Sequence, residues 1–534
     1  MDPKATIPST EVPAGFLRRS KDFGSDFIFG SATSAFQVEG ASRKDGRGPC
    51  IWDIFAADEK RNLFLPYGED AVLHYEHYAK DVDIMKDIGF DAYRFSISWS
   101  RILPSGKKES RNQEGINFYK KLLNKLKEKK IEPFVTLLHF DVPQALEKEY
   151  DGFLNRKIAD DFRDYADICF REFGKEVKYW ITINEPWSFA YGAYVKDFLA
   201  PGRGKVQENL LRRSNNTIDD LEDDGSIDPP SRYSFPTSIR KRSIAKPSER
   251  RISDKEDELK NAYIVTHNQL LAHGMAAKLY KDKYQRVQNG KIGITLVSQW
   301  FEPLTDDKKD TDAARRALDF MLGWFLHPLI HGKYPETMVK YVKEGHLPVD
   351  ELVKDKSIIQ DSCDFIGMNY YTARYIRHDE RNGGNYVEDQ RVKYHVKRKD
   401  KFIGEDKGAA GWLYSYPRGI MDLLLYIKKE YNNPLIYITE NGIDDPDDKS
   451  LKLKESIYDH KRLRYFHDHL AFVRDAKRQG ANVQGFFAWS LLDNFEWGFG
   501  FTSRFGITYV DYKNEARERT LKHSAIWLKF FLEN

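Results

Sequence analysis

The chain has 534 residues, which is long for one domain but within the range of an α/β barrel enlarged by insertions. Charged residues make up 31% and hydrophobic residues 41%, a composition typical of a soluble globular protein. A net charge of +3 gives no support for a nucleic-acid partner, and no apolar run reaches the length of a membrane span.

The cysteines and the N-terminus bear on cofactors and location. Cys50, Cys169 and Cys363 fit neither a metal site nor a disulfide framework, so we predict no metal, and nothing in the sequence predicts a cofactor. Residues 1–16 carry proline and charge where a signal peptide needs an apolar run, which predicts a cytoplasmic protein. A basic cluster at 240–251 leaves a nuclear location as the alternative.

Strand-like runs alternate with longer amphipathic stretches after a flexible lead at residues 1–21. The amphipathic stretches include 74–88 and 116–129, which are predicted helices. The eight strand-like runs are 27–32, 92–98, 132–140, 179–184, 291–298, 364–371, 434–439 and 483–490. Eight strand–helix units predict an α/β fold, a single closed (β/α)8 TIM barrel, with its active site at the carboxyl ends of the strands.

Loop insertions interrupt this alternation. Residues 205–258 show no sustained apolar periodicity and include both an acidic stretch and a basic one, so we predict a disordered insertion after the fourth strand. Residues 350–359 and 377–404 are predicted as further surface loops. The prediction is one barrel domain over residues 22–534.

Two predicted strands end in a glutamate. Glu185 follows Y-W-I-T-I-N, and Glu440 ends L-I-Y-I-T-E. A carboxylate at the end of a buried strand is unfavourable unless it faces a cavity. Paired glutamates suit glycoside hydrolysis, which is retaining when the carboxyls lie about 5–5.5 Å apart: one attacks the anomeric carbon while the other protonates the departing oxygen. The nucleophile must stay ionised, so a donor such as tyrosine is expected beside it.

Other strand ends carry groups that suit a pyranose. Amide, imidazole and carboxylate groups bind sugar hydroxyls, and an indole face packs on the axial C–H groups of the ring. Strand-end residues of these types include Gln37, His139, Asn184, Asn369, Trp489, Glu496 and Trp497.

Four motifs resemble those of glycoside hydrolase family 1, in its plant β-glucosidase form. In chain order they read S-A-F-Q-V-E-G, T-I-N-E-P, I-T-E-N-G and W-S-L-L-D-N-F-E-W. The resemblance extends from about residue 22 to the C-terminus, apart from the long insertion. It implies a retaining β-D-glucosidase in which Glu185 is the acid/base, Glu440 is the nucleophile and Tyr371 hydrogen-bonds the nucleophile. It also places Arg94 near Glu440. The sugar contacts that it implies, with Trp489 as the stacking floor and Asn369 nearby, are Gln37, His139, Asn184, Glu496 and Trp497.

Departures from the family pattern narrow the expected substrate. Thioglucosidases of this family lack the acid/base glutamate, so Glu185 implies an O-glucoside. Phosphoglycosidases replace the Glu496–Trp497 pair, so its presence implies an unphosphorylated sugar. The family has tryptophan at the position of Phe140, so the resemblance does not define the shape of the pocket near His139.

Aromatic side chains are expected to contact the aglycone. By family analogy Trp412 is the aglycone platform, and Trp187, Phe189 and Phe499 line the mouth; such a mouth favours a flat or bulky apolar aglycone. The stretches R-A-L-D-F-M-L-G-W-F-L-H-P-L and K-H-S-A-I-W-L-K-F-F are similar to the plant strictosidine, raucaffricine and ipecac-alkaloid glucosidases. This likeness implies a monoterpenoid or indole-alkaloid glucoside of specialised metabolism.

Two other functions are compatible with these residues. A transglucosidase would pass the glucosyl group from Glu440 to an alcohol instead of water, and a non-catalytic sugar-binding relative would keep only the scaffold. The expected partner is a small-molecule glucoside, with no nucleic acid and no membrane. A homo-oligomer is left open because plant relatives often assemble.

Overall fold

Eight parallel strands form a closed barrel in the computed structural model, which describes residues 17–204 and 252–533 apart from 59, 62, 64–67 and 382–383. Each strand pairs with the next along the chain, and the eighth pairs with the first. The strands are β1 (Ile28–Ala32), β2 (Ala92–Ser96), β3 (Glu132–Leu138), β4 (Tyr179–Asn184), β5 (Lys291–Val297), β6 (Phe365–Asn369), β7 (Ile436–Asn441) and β8 (Val483–Trp489). The predicted (β/α)8 fold is confirmed.

Helices fill the connections between the barrel strands. The longer ones are His74–Ile88, Gln113–Lys129, Ile158–Phe173, Ile252–Leu279, Lys308–Leu318, Trp324–His331, Val349–Ile359, Pro417–Glu430, His460–Arg478 and His523–Glu533. Shorter ones are Arg19–Asp22, Ala35–Val38, Ile51–Ala57, Trp99–Ile102, Gln144–Tyr150, Pro186–Tyr191, Gln285–Gln288, Glu336–Tyr341, Tyr386–Asp389 and Leu453–Ser456.

Local sequence explains where these helices begin and end. The helix Gln113–Lys129 begins after Asn112, whose side-chain oxygen accepts the Glu114 backbone N–H, and it ends at Lys130 with a φ of 57°. Its apolar residues recur at helical spacing, so one face packs on the barrel. Within the described part of the chain, no helix is long and apolar enough to cross a bilayer.

Several predicted loops differ from the observed elements. The helix Ile252–Leu279 begins inside the predicted insertion, whose residues 205–251, with the basic cluster at 240–251, lie outside the described residues. Residues 350–359 are helical because Leu352 and Ile359 are spaced to bury one helical face.

Short elements also occur where a lead or a loop was predicted. Part of the predicted N-terminal lead forms the helix Arg19–Asp22, while residues 1–16 are not described. The predicted loop at 377–404 contains the strand Val392–His395, which pairs with Ala373–His378, itself beside Trp300–Pro303.

The ladder is irregular where the two glutamates leave it. The β4–β5 register shifts between Ile181 and Asn184, and β7 shifts against both its neighbours between Ile438 and the end of the strand. Such irregularities re-aim side chains next to active sites. Both glutamates therefore stand at the carboxyl end of the barrel, where the pocket opens.

Candidate active site

A pocket of about 840 Å³, including the solvent in its mouth, opens at the carboxyl end of the barrel. It brings together ten of the predicted site residues, which come from separate stretches of the chain. These are His139, Asn184, Glu185, Tyr371, Trp412, Glu440, Trp489, Glu496, Trp497 and Phe499.

Glu440 is held by two donors. The Arg94 guanidinium donates from Nη1 to Glu440 Oε1 at 2.5 Å, and the Tyr371 hydroxyl donates to Oε2 at 2.6 Å. Burial, together with the negative charge of Glu440, raises the pKa of Tyr371 well above its usual range, so this tyrosine acts as a neutral donor. The two hydrogen bonds fix the position of the carboxyl group that would act as the nucleophile.

Glu185 occupies a strained position immediately after β4. Its φ is 40°, its backbone N–H donates to the Thr295 carbonyl at 2.9 Å, and only 8% of its surface is exposed. Ser188 Oγ donates to Oε2 and Asn369 Nδ2 donates to Oε1, each at 2.6 Å. Burial and then the charge of Glu440 raise the pKa of Glu185 to about 7, despite these two donors.

This pKa predicts the pH dependence of the reaction. Glu185 must be protonated to serve as the acid, and with a pKa of about 7 the acid form is lost as pH rises through neutrality. We therefore expect kcat/KM for a glucoside with a poor leaving group to fall above about pH 7, as measured by initial rates across pH 4–9. An activated dinitrophenyl glucoside, which needs little protonation, is the control and should show a weaker limb. A basic limb for the poor leaving group with its midpoint below pH 5.5 would contradict the assignment of Glu185 as the acid.

Two successive hydrogen bonds connect Arg94, Asn184 and His139, and both run in the same donor direction. Arg94 Nη2 donates to Asn184 Oδ1 at 2.6 Å, which turns the Asn184 amide nitrogen towards His139 Nε2 at 3.1 Å. Burial, reinforced by the charge of Arg94, lowers the pKa of His139 well below its usual range. The neutral ring therefore carries its proton on Nδ1, which has no partner among the described residues and can donate to a sugar hydroxyl.

Aromatic rings form the walls around this imidazole. The His139 ring lies nearly parallel to Trp489 and to Trp497, with centroids 5.9 and 5.8 Å away. Phe140 meets Trp497 edge to face at 5.1 Å. The phenylalanine that departs from the family pattern therefore lines the pocket and packs on the Trp497 ring.

Glu496 presents a carboxyl oxygen to the same pocket. Its Oε1 has no partner within the described residues, and burial with the charges of Asp444 and Glu440 raises its pKa well above the usual range. A sugar hydroxyl that donates to Oε1 would favour the carboxylate. Gln37 lies behind it: its Nε2 donates to the Asn494 side chain at 2.9 Å and its Oε1 accepts from Ser34 at 2.6 Å.

Four predicted contacts do not line the pocket: Gln37, whose partners are given above, and Asn369, Trp187 and Phe189. Asn369 is fully buried and bonds Glu185 from behind the pocket. Trp187 and Phe189, predicted at the aglycone mouth, do not line the pocket. Trp187 donates from Nε1 to the Tyr386 hydroxyl at 2.6 Å, and Phe189 packs behind Phe140 at 6.2 Å between ring centroids. Both rings are buried on the helix Pro186–Tyr191, so the structure places them in the core.

Sequence reasoning missed several lining residues. They are Ser188, Phe198, Leu199, Val297, Ser298, Gln299, Met321, Thr372, Gly498 and Phe505. Ser188 could have been found, because a residue three positions after Glu185 faces it across one helical turn. Met321 could not, since its turn Asp319–Gly323 lies inside an ordinary helical pattern.

Comparisons with known proteins agree with this geometry. The sequence profile of Glycosyl hydrolase family 1 matches residues 19–220 and 247–534. Beta-glucosidase 24 of Oryza sativa subsp. japonica is 46% identical over 536 residues, which cover 99% of this chain and 97% of that protein. Raucaffricine-O-beta-D-glucosidase of Rauvolfia serpentina is 46% identical over 517 residues, covering 95% and 90%.

A solved structure extends the likeness to three dimensions. A rice β-glucosidase in a covalent complex with glucose is similar with a TM-score of 0.84 and 39% identity, covering 97% of this chain and all of that one. The family profile spans the barrel strands and the motifs that supply both glutamates. The chain therefore belongs to glycosyl hydrolase family 1, as a retaining β-glucosidase of that family.

Proposed function

We propose that this β-glucosidase hydrolyses an O-glucoside of plant specialised metabolism whose aglycone is bulky and apolar, of the monoterpenoid or indole-alkaloid class. The observation that carries the proposal is the apolar part of the pocket lining, which lies beside the polar groups that suit a sugar. Its side chains include Phe198, Leu199, Val297, Met321, Trp412 and Phe499. Apolar and aromatic walls bind apolar ring systems better than a second sugar.

The likeness to a characterised relative supports the same substrate class. Raucaffricine-O-beta-D-glucosidase, as its name states, acts on the glucoside raucaffricine, and 46% of its aligned residues are shared with this chain. Beta-glucosidase 24 of rice is equally similar, so the likeness alone does not select the aglycone. The apolar side chains of the pocket lining favour a bulky apolar aglycone.

The geometry supports a double displacement. Glu440 attacks the anomeric carbon as the glycosidic C–O bond breaks, and Glu185 transfers its proton to the departing aglycone oxygen. Arg94 and Tyr371 hold the attacking carboxylate until its oxygen bonds to carbon. Glu185, now ionised, takes a proton from water, whose oxygen displaces Glu440 and releases glucose.

A substrate screen tests the proposal directly. We expect kcat/KM to be highest for indole-alkaloid or iridoid glucosides in a panel that also contains cyanogenic glucosides, flavonoid glucosides and cellobiose. A clear preference for cellobiose would overturn the proposed aglycone class. Product analysis with an added alcohol then separates hydrolysis from transfer, because a transglucosidase forms mainly the alkyl glucoside and a hydrolase mainly free glucose.

Trp412 is the residue whose removal should change aglycone preference. Its ring lines the pocket and meets the Tyr371 ring edge to face, with 5.8 Å between the centroids. In Trp412→Ala we expect kcat/KM for a bulky aromatic glucoside to fall by about tenfold, because an aromatic contact is worth about 0.5–1.5 kcal/mol beyond its buried area. Methyl β-glucoside should be affected less than about twofold, on the same scale.

Phe402→Ala provides the matched control. This ring is 48% exposed and does not line the pocket, so its removal should leave both substrates unaffected. An equal loss on the aromatic and the methyl glucoside in Trp412→Ala would contradict the platform assignment.

Location and assembly complete the proposal. We propose residence in the cytoplasm or the nucleus, the latter if the basic cluster at 240–251 is recognised by an import receptor. Imaging of a fluorescent fusion with and without that cluster tests this.

We also propose that the protein can assemble as a homo-oligomer, which multi-angle light scattering measures.

A further inference from the structure

The hydrogen bonds around Glu185 have a fixed direction. Arg94 can only donate, so the Asn184 amide oxygen faces its Nη2 at 2.6 Å. The Asn369 side chain lies 3.2 Å from that same oxygen and must present its amide nitrogen there, because two carbonyl oxygens would repel each other. The other face of Asn369 agrees: its Oδ1 accepts from the Thr439 hydroxyl at 2.7 Å.

This direction distinguishes the two oxygens of Glu185. The second N–H of Asn369 points to Glu185 Oε1 at 2.6 Å, so Oε1 is always an acceptor. In a protonated carboxyl group the carbonyl oxygen is the stronger acceptor, and the proton resides on the other oxygen. The site therefore favours protonation of Oε2.

Ser188 is the partner of that second oxygen. Its hydroxyl donates to Oε2 at 2.6 Å, and both side chains are almost fully buried. A hydroxyl can rotate from donor to acceptor, whereas the amide nitrogen of Asn369 cannot. We infer that Glu185 carries its transferable proton on Oε2 and that Ser188 is the positioning residue that holds this oxygen in both protonation states.

The inferred role follows the proton through the reaction. In the first step the Oε2–H bond breaks and an O–H bond forms on the aglycone oxygen, while the glycosidic bond breaks and the Glu440–carbon bond forms. The Ser188 hydroxyl then donates to the Oε2 carboxylate left behind, which it stabilises. In the second step Oε2 takes a proton from water as the water oxygen bonds to carbon and Glu440 leaves. This inference rests on the glucosidase chemistry and is independent of the aglycone.

Ser188→Ala tests the inference. A donor to the charged form lowers the pKa of a carboxyl, so removing it raises the pKa of Glu185 and extends the acid form to higher pH. We expect the basic limb of kcat/KM to move upward by about one pH unit, the size of one hydrogen bond to a charged group. The loss of rate should be larger for a poor leaving group than for dinitrophenyl glucoside, which a merely structural defect would not produce.

Ser188→Thr is the rescue variant, because it keeps the hydroxyl and should restore the wild-type limb. Ser188→Cys replaces the hydroxyl with a weaker donor, so its basic limb of kcat/KM should lie between those of the wild type and the alanine variant. It gives a second measurement if the alanine variant is unstable. An unmoved limb in both the alanine and cysteine variants, or a threonine variant that behaves like alanine, would overturn the inference. Turnover of dinitrophenyl glucoside by the wild-type enzyme reports the glucosidase activity separately.

Discussion

Glu440→Gln is expected to lower kcat by about five orders of magnitude, the size of effect seen when an enzyme loses its nucleophile. The amide cannot form the covalent glucosyl intermediate. Its oxygen can still accept from Arg94, and its nitrogen can donate to the Tyr371 hydroxyl, which can rotate to accept, so the pocket stays intact. The measurement is initial-rate kinetics on an activated aryl glucoside. When the wild-type enzyme is treated with a 2-deoxy-2-fluoro glucoside, mass spectrometry should place the covalent label on Glu440.

Glu302→Gln is the matched control for this loss. Glu302 lies on the strand Trp300–Pro303 outside the barrel, where it accepts from Trp300 Nε1 at 2.7 Å. A glutamine can accept the same hydrogen bond, so activity should stay near wild type. If Glu440→Gln kept more than about one hundredth of the wild-type kcat, another group would have to be the nucleophile.

Glu185→Ala is expected to separate substrates by their leaving groups. General acid catalysis contributes about 10²–10⁴-fold, so hydrolysis of a glucoside with a poor leaving group should fall by about three orders of magnitude. Formation of the covalent intermediate from dinitrophenyl glucoside should change little, because that leaving group departs without a proton. Pre-steady-state burst kinetics measures this step by itself.

Added azide provides the second readout for Glu185. The alanine variant has lost the base that activates water, and azide attacks without needing a base. We expect azide to accelerate turnover of the dinitrophenyl glucoside and to yield β-glucosyl azide. Equal losses on good and poor leaving groups, with no azide product, would assign the acid/base role to another residue.

The fold could be predicted because it rests on local patterns. Apolar strands of five to seven residues alternate with amphipathic helices, and the predicted strand ends fall within two residues of the observed ones. The segment at 350–359 was predicted wrongly, because its many charged residues hid the apolar spacing of Leu352 and Ile359. Charge content predicts exposure, whereas spacing predicts the helix.

The site could be predicted at the strand ends and not in the loops. Glu185 and Glu440 lie at barrel strand ends, whose direction is set by the ladder, so their meeting in one pocket follows from the fold. Trp187 and Phe189 follow the same motif, but a helix turns them into the core, and their direction depends on packing that the motif does not specify. Met321 enters the pocket from a segment distant in sequence from either motif.

The register shifts divide β4 and β7 each into a part that packs in the core and an end that carries a pocket residue. Ile181 and Ile438 stand before the shifts and pack in the buried core, whereas Asn184 and Glu440 stand after them and line the pocket. The ladder hydrogen bonds are made by the backbone, so a side-chain substitution at Asn184 or Glu440 removes none of them. The chemistry of the pocket can therefore be changed at these two positions without cutting the barrel's ladder.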